Sequence, residues 1–239
     1  MAETLDGRRV LVIGGAKFLG EAVARAAADR GARVVIGARD DDRAARLAAE
    51  LPDATSVHLD LTDEEGIRAA AEKLGAVDHI VITASAHHNV PVAELERDGI
   101  AGAFEAKVVG PMLVAKHFAA SMPETGSILL FSGSAAWNPA PGLTVMGVSN
   151  GAVSFLASHL AKELAPLRVN AISPGVTDSG TWDGLDAASR GAMYEQAAES
   201  SLAGRVGAPQ DVADAAIWLL TAPYVSGETV HVDGGARHA

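Results

Sequence analysis

Short runs of β-branched and aliphatic residues alternate along the whole chain with alanine-rich stretches of helical length. That alternation constrains the fold more than any other feature, because parallel strands need a crossover that a helix supplies. The apolar runs at 9–13, 33–37, 56–59, 79–83, 127–132, 168–172 and 229–232 predict strands. They are nearly continuous rather than alternating, as strands covered on both faces should be. Stretches 20–30, 41–51, 63–74, 94–121, 150–164 and 209–221 predict the helices. The expectation is an α/β chain, one domain over residues 1–239, with about seven parallel strands in a doubly wound sheet and helices on both faces. The polar segment 178–204, which carries Trp182, breaks the alternation. A ligand site is expected beyond the carboxyl ends of the strands, where the strand order reverses.

Composition narrows the function classes. A net charge of −11 argues against a nucleic-acid surface and against an anionic membrane. With no cysteine, disulfides, thiolate nucleophiles and Cys-ligated metals are excluded. No His/Asp/Glu grouping has metal-ligand spacing and no serine-nucleophile elbow is present, so neither a metal site nor acyl-enzyme chemistry is expected. The first residues lack a basic segment followed by an apolar one, and no apolar run approaches spanning length. A cytoplasmic globular protein is the expectation.

Three stretches carry a more specific signal. Strand one runs into Gly14-Gly15-Ala16-Lys17-Phe18-Leu19-Gly20, a phosphate-type loop opening a helix. The fifth strand ends in serines, Phe131-Ser132-Gly133-Ser134. Further on stand Arg168-Val169-Asn170-Ala171-Ile172-Ser173-Pro174-Gly175. This ordered set resembles the short-chain dehydrogenase/reductase superfamily over essentially the whole chain. The resemblance implies a Rossmann-like fold, a nicotinamide cofactor, and a lid formed by 178–204.

Carried over residue by residue, the resemblance assigns Gly14 and Gly20 to the loop's first and last glycines, with Phe18 in place of the middle one. An aromatic there either re-routes the loop or partly fills the site. Lys17 and Arg39 fall where members that prefer NADP(H) carry cations for the 2′-phosphate, and two cations suit a phosphomonoester; the plainer reading is solvated surface. Asp60 matches the acid at the adenine, Ala84 keeps the close approach to the cofactor, and Pro174, Gly175 and Thr177 match the nicotinamide end.

The catalytic positions are all changed. Where the family has tyrosine and lysine, this chain has Met146 and Asn150; the serine position is Gly133 and the asparagine position is Lys107. Replacement chemistry is therefore sought among Ser132, Ser134, His87, His88 and Lys107. The alternatives are strand-end capping for the serines, solvated loop positions for the histidines, and a structural ammonium for Lys107. Trp137, Met146, Asn150, Asp178 and Trp182 are expected to line the substrate pocket, with loop capping the alternative for Asp178.

Two enzyme readings and one non-enzyme reading follow. The first is a redox-neutral step (cyclisation, isomerisation or elimination) on a largely apolar small molecule, such as secondary metabolism uses. The second is an NADPH-dependent carbonyl or enone reductase with a surrogate proton donor. The third is a non-catalytic binding subunit. The resemblance also implies a homodimer or homotetramer built on helices 94–121 and 150–164, with Val153, Phe155, Leu156 and Leu160 as apolar positions beyond one face.

Overall fold

The computed structural model describes residues 4–239. Seven strands form one all-parallel sheet: β1 (Arg9–Ile13), β2 (Arg33–Ala38), β3 (Thr55–His58), β4 (His79–Ile82), β5 (Ser127–Phe131), β6 (Arg168–Pro174) and β7 (Thr229–Val232). Their spatial order is β3-β2-β1-β4-β5-β6-β7, which reverses direction after β1. Between β1 and β4 lies the switch point where such sheets hold their ligands.

The period-two pleat splits each strand between two cores. Val10 and Val12 of β1 face one layer with α1 (Phe18–Ala28), α2 (Asp41–Glu50) and α8 (Pro209–Thr221). Leu11 and Ile13 face the other, with α3 (Glu64–Leu74), α5 (Gly110–Phe118) and α6 (Thr144–Glu163). Alanine is what lets α1 and α8 pack closely: Ala24, Ala27, Ala213 and Ala216 are all fully buried in the first core.

Two expected helices differ from the structure. The stretch 94–121 is not continuous. It holds α4 (Arg97–Phe104), one π turn (Glu105–Val109) and then α5. Pro111 has no N–H for the carbonyl four residues back, at Lys107, and its ring crowds that carbonyl. The wider turn accommodates this, with Gly110 N–H reaching Glu105 O. The helix expected from 150 begins instead at Thr144, so Met146 lies in its first turn and Asn150 one turn on. The remaining helix, α7 (Ala187–Glu199), falls inside segment 178–204 and is N-capped by Asp186, whose carboxylate accepts from Ala188 N and Ser189 N. No helix among the described residues is long and apolar enough to cross a membrane.

Candidate functional site

A cleft of about 1630 Å³ opens at the carboxyl ends of the strands. The β1–α1 loop, the ends of β4, β5 and β6, the start of α6 and the 178–204 segment enclose it.

At one end the β1–α1 loop packs on the end of β4. A Cβ on Gly14 (φ +81°) would stand 2.6 Å from Ala84 N, and one on Gly20 would stand 2.2 Å from Gly14 O. Only glycine fits either place. Phe18 has φ +55°, the left-handed conformation that its glycine counterpart would adopt freely. The loop therefore holds an aromatic residue in a conformation that costs it strain. The ring extends to the lid segment, where a Cβ on Gly180 would meet Phe18 Cδ1 at 3.3 Å. Lys17 Nζ lies 4.9 Å from the ring centroid.

Arg39 is exposed at the end of β2 and lines the cleft, as do Lys17 and Asp60. Asp60 Oδ1 accepts from both the N–H and the hydroxyl of Thr62, each at 2.9 Å. Sequence reasoning missed Arg43, which lines the same end from the first turn of α2, four residues beyond Arg39. Glycine cradle, cations and Asp60 fit the adenosine end of NADP(H); the Phe18 ring lies between loop and lid.

At the other end, Met146 and Asn150 both line the cleft from α6. Asn150 is buried, and its amide takes up the room at the end of β5: a Cβ on Gly133 would stand 2.6 Å from Asn150 Nδ2. Glycine at 133 and asparagine at 150 are thus sterically coupled. Asn150 Oδ1 is buried with no hydrogen-bond partner.

Lys107 reaches this wall from the π turn. Its Nζ donates to Ser132 O at 3.3 Å, and the residue keeps surface towards the cleft. Among the described residues no carboxylate lies within ion-pair distance of it. Burial lowers its pKa to about 8, so the amine exchanges a proton near neutral pH. His87 also lines the cleft, with Ser85 Oγ 3.4 Å from its Nε2. Burial first, then the charges of Lys107 and Lys17, lower the His87 pKa and keep the ring neutral.

Several expected site residues take other roles. Trp137 is not in the cleft wall; it packs edge-on to His231 with centroids 4.4 Å apart and lines a separate depression beside Phe155. Asp178 is not in the wall either, because its carboxylate accepts the Tyr194 hydroxyl at 2.8 Å and ties α7 to the lid's start. His88 lines the cleft but caps α4: its Nε2 accepts Glu96 N–H at 3.1 Å, and its ring presses on Gly99. The Ser132 hydroxyl is already engaged, donating to Asn150 O at 2.8 Å and receiving Ser154 Oγ at 3.2 Å. Ser134 and Trp182 do line the cleft, as do Ala84, Pro174, Gly175 and Thr177. The Thr177 hydroxyl donates to Gly175 O at 3.1 Å, bracing that loop.

Neither tyrosine substitutes for the missing phenol. Burial and the bond to Asp178 push the Tyr194 pKa up to about 12, and Tyr224 is fully exposed just before β7. Among the described residues no cluster of three metal-ligating side chains exists.

Comparison with known proteins agrees with the geometry. A family model described as enoyl-(acyl carrier protein) reductase matches residues 14–237. The short-chain dehydrogenase/reductase ucsE of Acremonium sp is 33% identical, with 98% of this chain and 97% of that protein covered. Among solved structures, the MalC reductase/Diels-Alderase from Malbranchea aurantiaca superposes with a TM-score of 0.91 at 28% identity, over 98% of each chain. A small-chain dehydrogenase in complex with NADPH gives a TM-score of 0.82 at 31% identity, over 98% of this chain and 100% of that one. With its glycine cradle, reversed strand order and matched length, the chain belongs to the short-chain dehydrogenase/reductase superfamily.

Proposed function

We propose that this protein is an enzyme that turns over a largely apolar, conjugated carbonyl compound without net redox change, by cyclisation, isomerisation or elimination. The observation that carries this reading is the pair Met146 and Asn150 on α6. A thioether and a packed amide stand where ketone reduction in the family places a phenol and an ammonium, and neither tyrosine substitutes. Lys107 is then the cation that faces a substrate carbonyl in this half of the cleft. Holding an apolar substrate in a reactive shape while one donor polarises its carbonyl is a sufficient source of rate for such steps. The structural neighbour described as both reductase and Diels-Alderase supports the same reading.

In the groove, Arg39, Arg43 and Lys17 would hold the 2′-phosphate of NADP(H), Asp60 the adenine, and Pro174, Gly175 and Thr177 the nicotinamide end. When bound, that cofactor supplies or accepts a hydride. The preserved groove, with the NADPH-bound neighbour, favours a second reading, an NADPH-dependent reductase in which Lys107 donates the proton.

The two separate on product mass. The protein is incubated with a panel of α,β-unsaturated ketones bearing a tethered diene, with and without NADPH. The expected product is an isomer of its substrate, formed without loss of NADPH absorbance. A product two hydrogens heavier, with one NADPH consumed per turnover, establishes the reductase instead.

A further inference from the structure

Lys107 differs from every other lysine of the chain. Lys17, Lys73, Lys116 and Lys162 are exposed. Lys116 is ion-paired with Glu64 at 2.6 Å, and Lys17 lies over the Phe18 ring. Lys107 alone is held inside, by a single long bond from Nζ to the Ser132 carbonyl. The same cleft is lined by the apolar side chains of Ala103, Ala106, Phe131 and Met146. A primary amine with one weak hydrogen bond, no carboxylate and an open cleft before it is the arrangement of a nucleophile. An ion-paired structural ammonium would have a counter-charge.

We propose that the Lys107 amine forms a Schiff base with an aldehyde or ketone bound in the cleft. This rests on the proposed carbonyl-binding role and deepens it. In the first step Nζ, as the neutral amine, attacks the carbonyl carbon; the C–N bond forms and the π pair moves to oxygen, which takes a proton from water. The nitrogen then loses a proton to His87, whose neutral imidazole lines the same cleft and feels the Lys107 charge. His87 returns that proton to the carbinolamine hydroxyl, which leaves as water while the nitrogen lone pair makes the C=N bond. With the oxygen's proton drawn from water, the sum is amine plus carbonyl giving iminium plus hydroxide, which passes to solvent. A conjugated iminium is more electrophilic than its parent enone, so ring closure or double-bond migration follows without external hydride. Hydrolysis by the reverse steps restores the amine.

Gly110 and Pro111 give the device its geometry. The π turn that relieves Pro111 carries Lys107 at its centre, and a Cβ on Gly110 would stand 2.6 Å from Leu61 O. The turn is therefore fixed from below by α5 and from behind by the loop after β3.

The experiment is reductive trapping on the full chain. Protein is incubated near pH 8 with cinnamaldehyde, an apolar conjugated aldehyde, and sodium cyanoborohydride, whose hydride reduces the iminium to a stable secondary amine. Peptide mass spectrometry then reads occupancy at each lysine. Labelling of Lys107 is expected to exceed that of any other lysine by at least about tenfold, as a partly neutral amine beside a bound carbonyl should. It is expected to disappear in Lys107→Arg and to slow in His87→Ala, with each variant's fold checked by circular dichroism. Labelling spread over the exposed lysines, with Lys107 no higher than they are, overturns the proposal even if both variants misfold, because the wild-type protein decides it. Isomer formation from the ketone panel without such trapping leaves the redox-neutral reading standing and removes only the covalent step.

Discussion

Lys107 and Phe18 each carry an energetic cost, one from burial of an ammonium and one from backbone strain. Burial disfavours the ammonium of Lys107, and the folded pKa of about 8 lies below an unfolded value of about 10.4. Between those values the unfolded chain binds more protons than the folded one, so stability rises with pH across the window. Below it the full penalty applies, on the order of 1–3 kcal/mol. Lys107→Met, similar in length and uncharged, should therefore raise Tm at pH 7 by about 2–4 °C per kcal/mol relieved. The gain should shrink as pH rises towards 10.4. Thermal melts at the two pH values check this; an unchanged or lowered Tm at pH 7 means the ammonium is well solvated. Phe18 is strained by about 1–2 kcal/mol at its positive φ, and its ring leans on the lid. Phe18→Gly removes both, and NADPH affinity in a fluorescence titration should increase. An unchanged Kd would show that the ring does not obstruct the pyrophosphate. The anomaly at 18 was legible in the residues; its backbone strain was not, because periodicity carries no information on a single dihedral angle.

At the scale of elements, the end of β5 and the start of α6 are packed as one unit. Asn150 occupies the space in front of Gly133, so a side chain at 133 and the amide at 150 exclude each other. Gly133→Ala should destabilise the protein by about 1–3 kcal/mol through overpacking. Adding Asn150→Ala should recover most of that loss. Additive losses in the double-mutant cycle would show that the two positions are independent. Composition and periodicity made the strands and most of the regular helices readable, though not the start of α6 or the existence of α7. Where a helix is irregular they gave less: the π turn follows from Pro111 acting on a carbonyl four residues back, and its effect is to place Lys107 in the cleft. Trp137 and Asp178, which fall outside the cleft wall, share one cause. Both lie in loops, where no periodicity fixes which way a side chain points, and a ring contact or a hydrogen bond sets the direction.

Across the whole molecule, α6 presents two apolar side chains outward, Val148 at 58% and Phe155 at 73% exposure, seven residues apart on one stripe; Met112 of α5 adds a third at 44%. Val153 and Leu156, expected beyond the buried face, instead belong to the core. The outward stripe is thus narrower than the sequence suggests but still costly to leave in water, at roughly 1.5–3 kcal/mol for each large side chain. A homodimer or homotetramer that pairs α5 and α6 across a two-fold axis would cover it, and light scattering of the wild-type protein should report at least a dimer. Phe155→Glu should lower that mass. A monomeric wild type contradicts the pairing, and an unchanged mass in the variant moves the interface elsewhere.

Both the Schiff-base step and proton donation in the reductase reading require Lys107 to be an amine that gains and loses a proton near neutral pH inside the cleft. The direct measurement is an NMR titration of the lysine side-chain resonances in isotope-labelled protein, with Lys107 assigned by its disappearance in Lys107→Met. The account predicts a midpoint of about 8 for Lys107. A midpoint near the ordinary lysine value of about 10.4 would contradict it, because the cleft would then hold a permanently charged ammonium and no acid–base group at that wall.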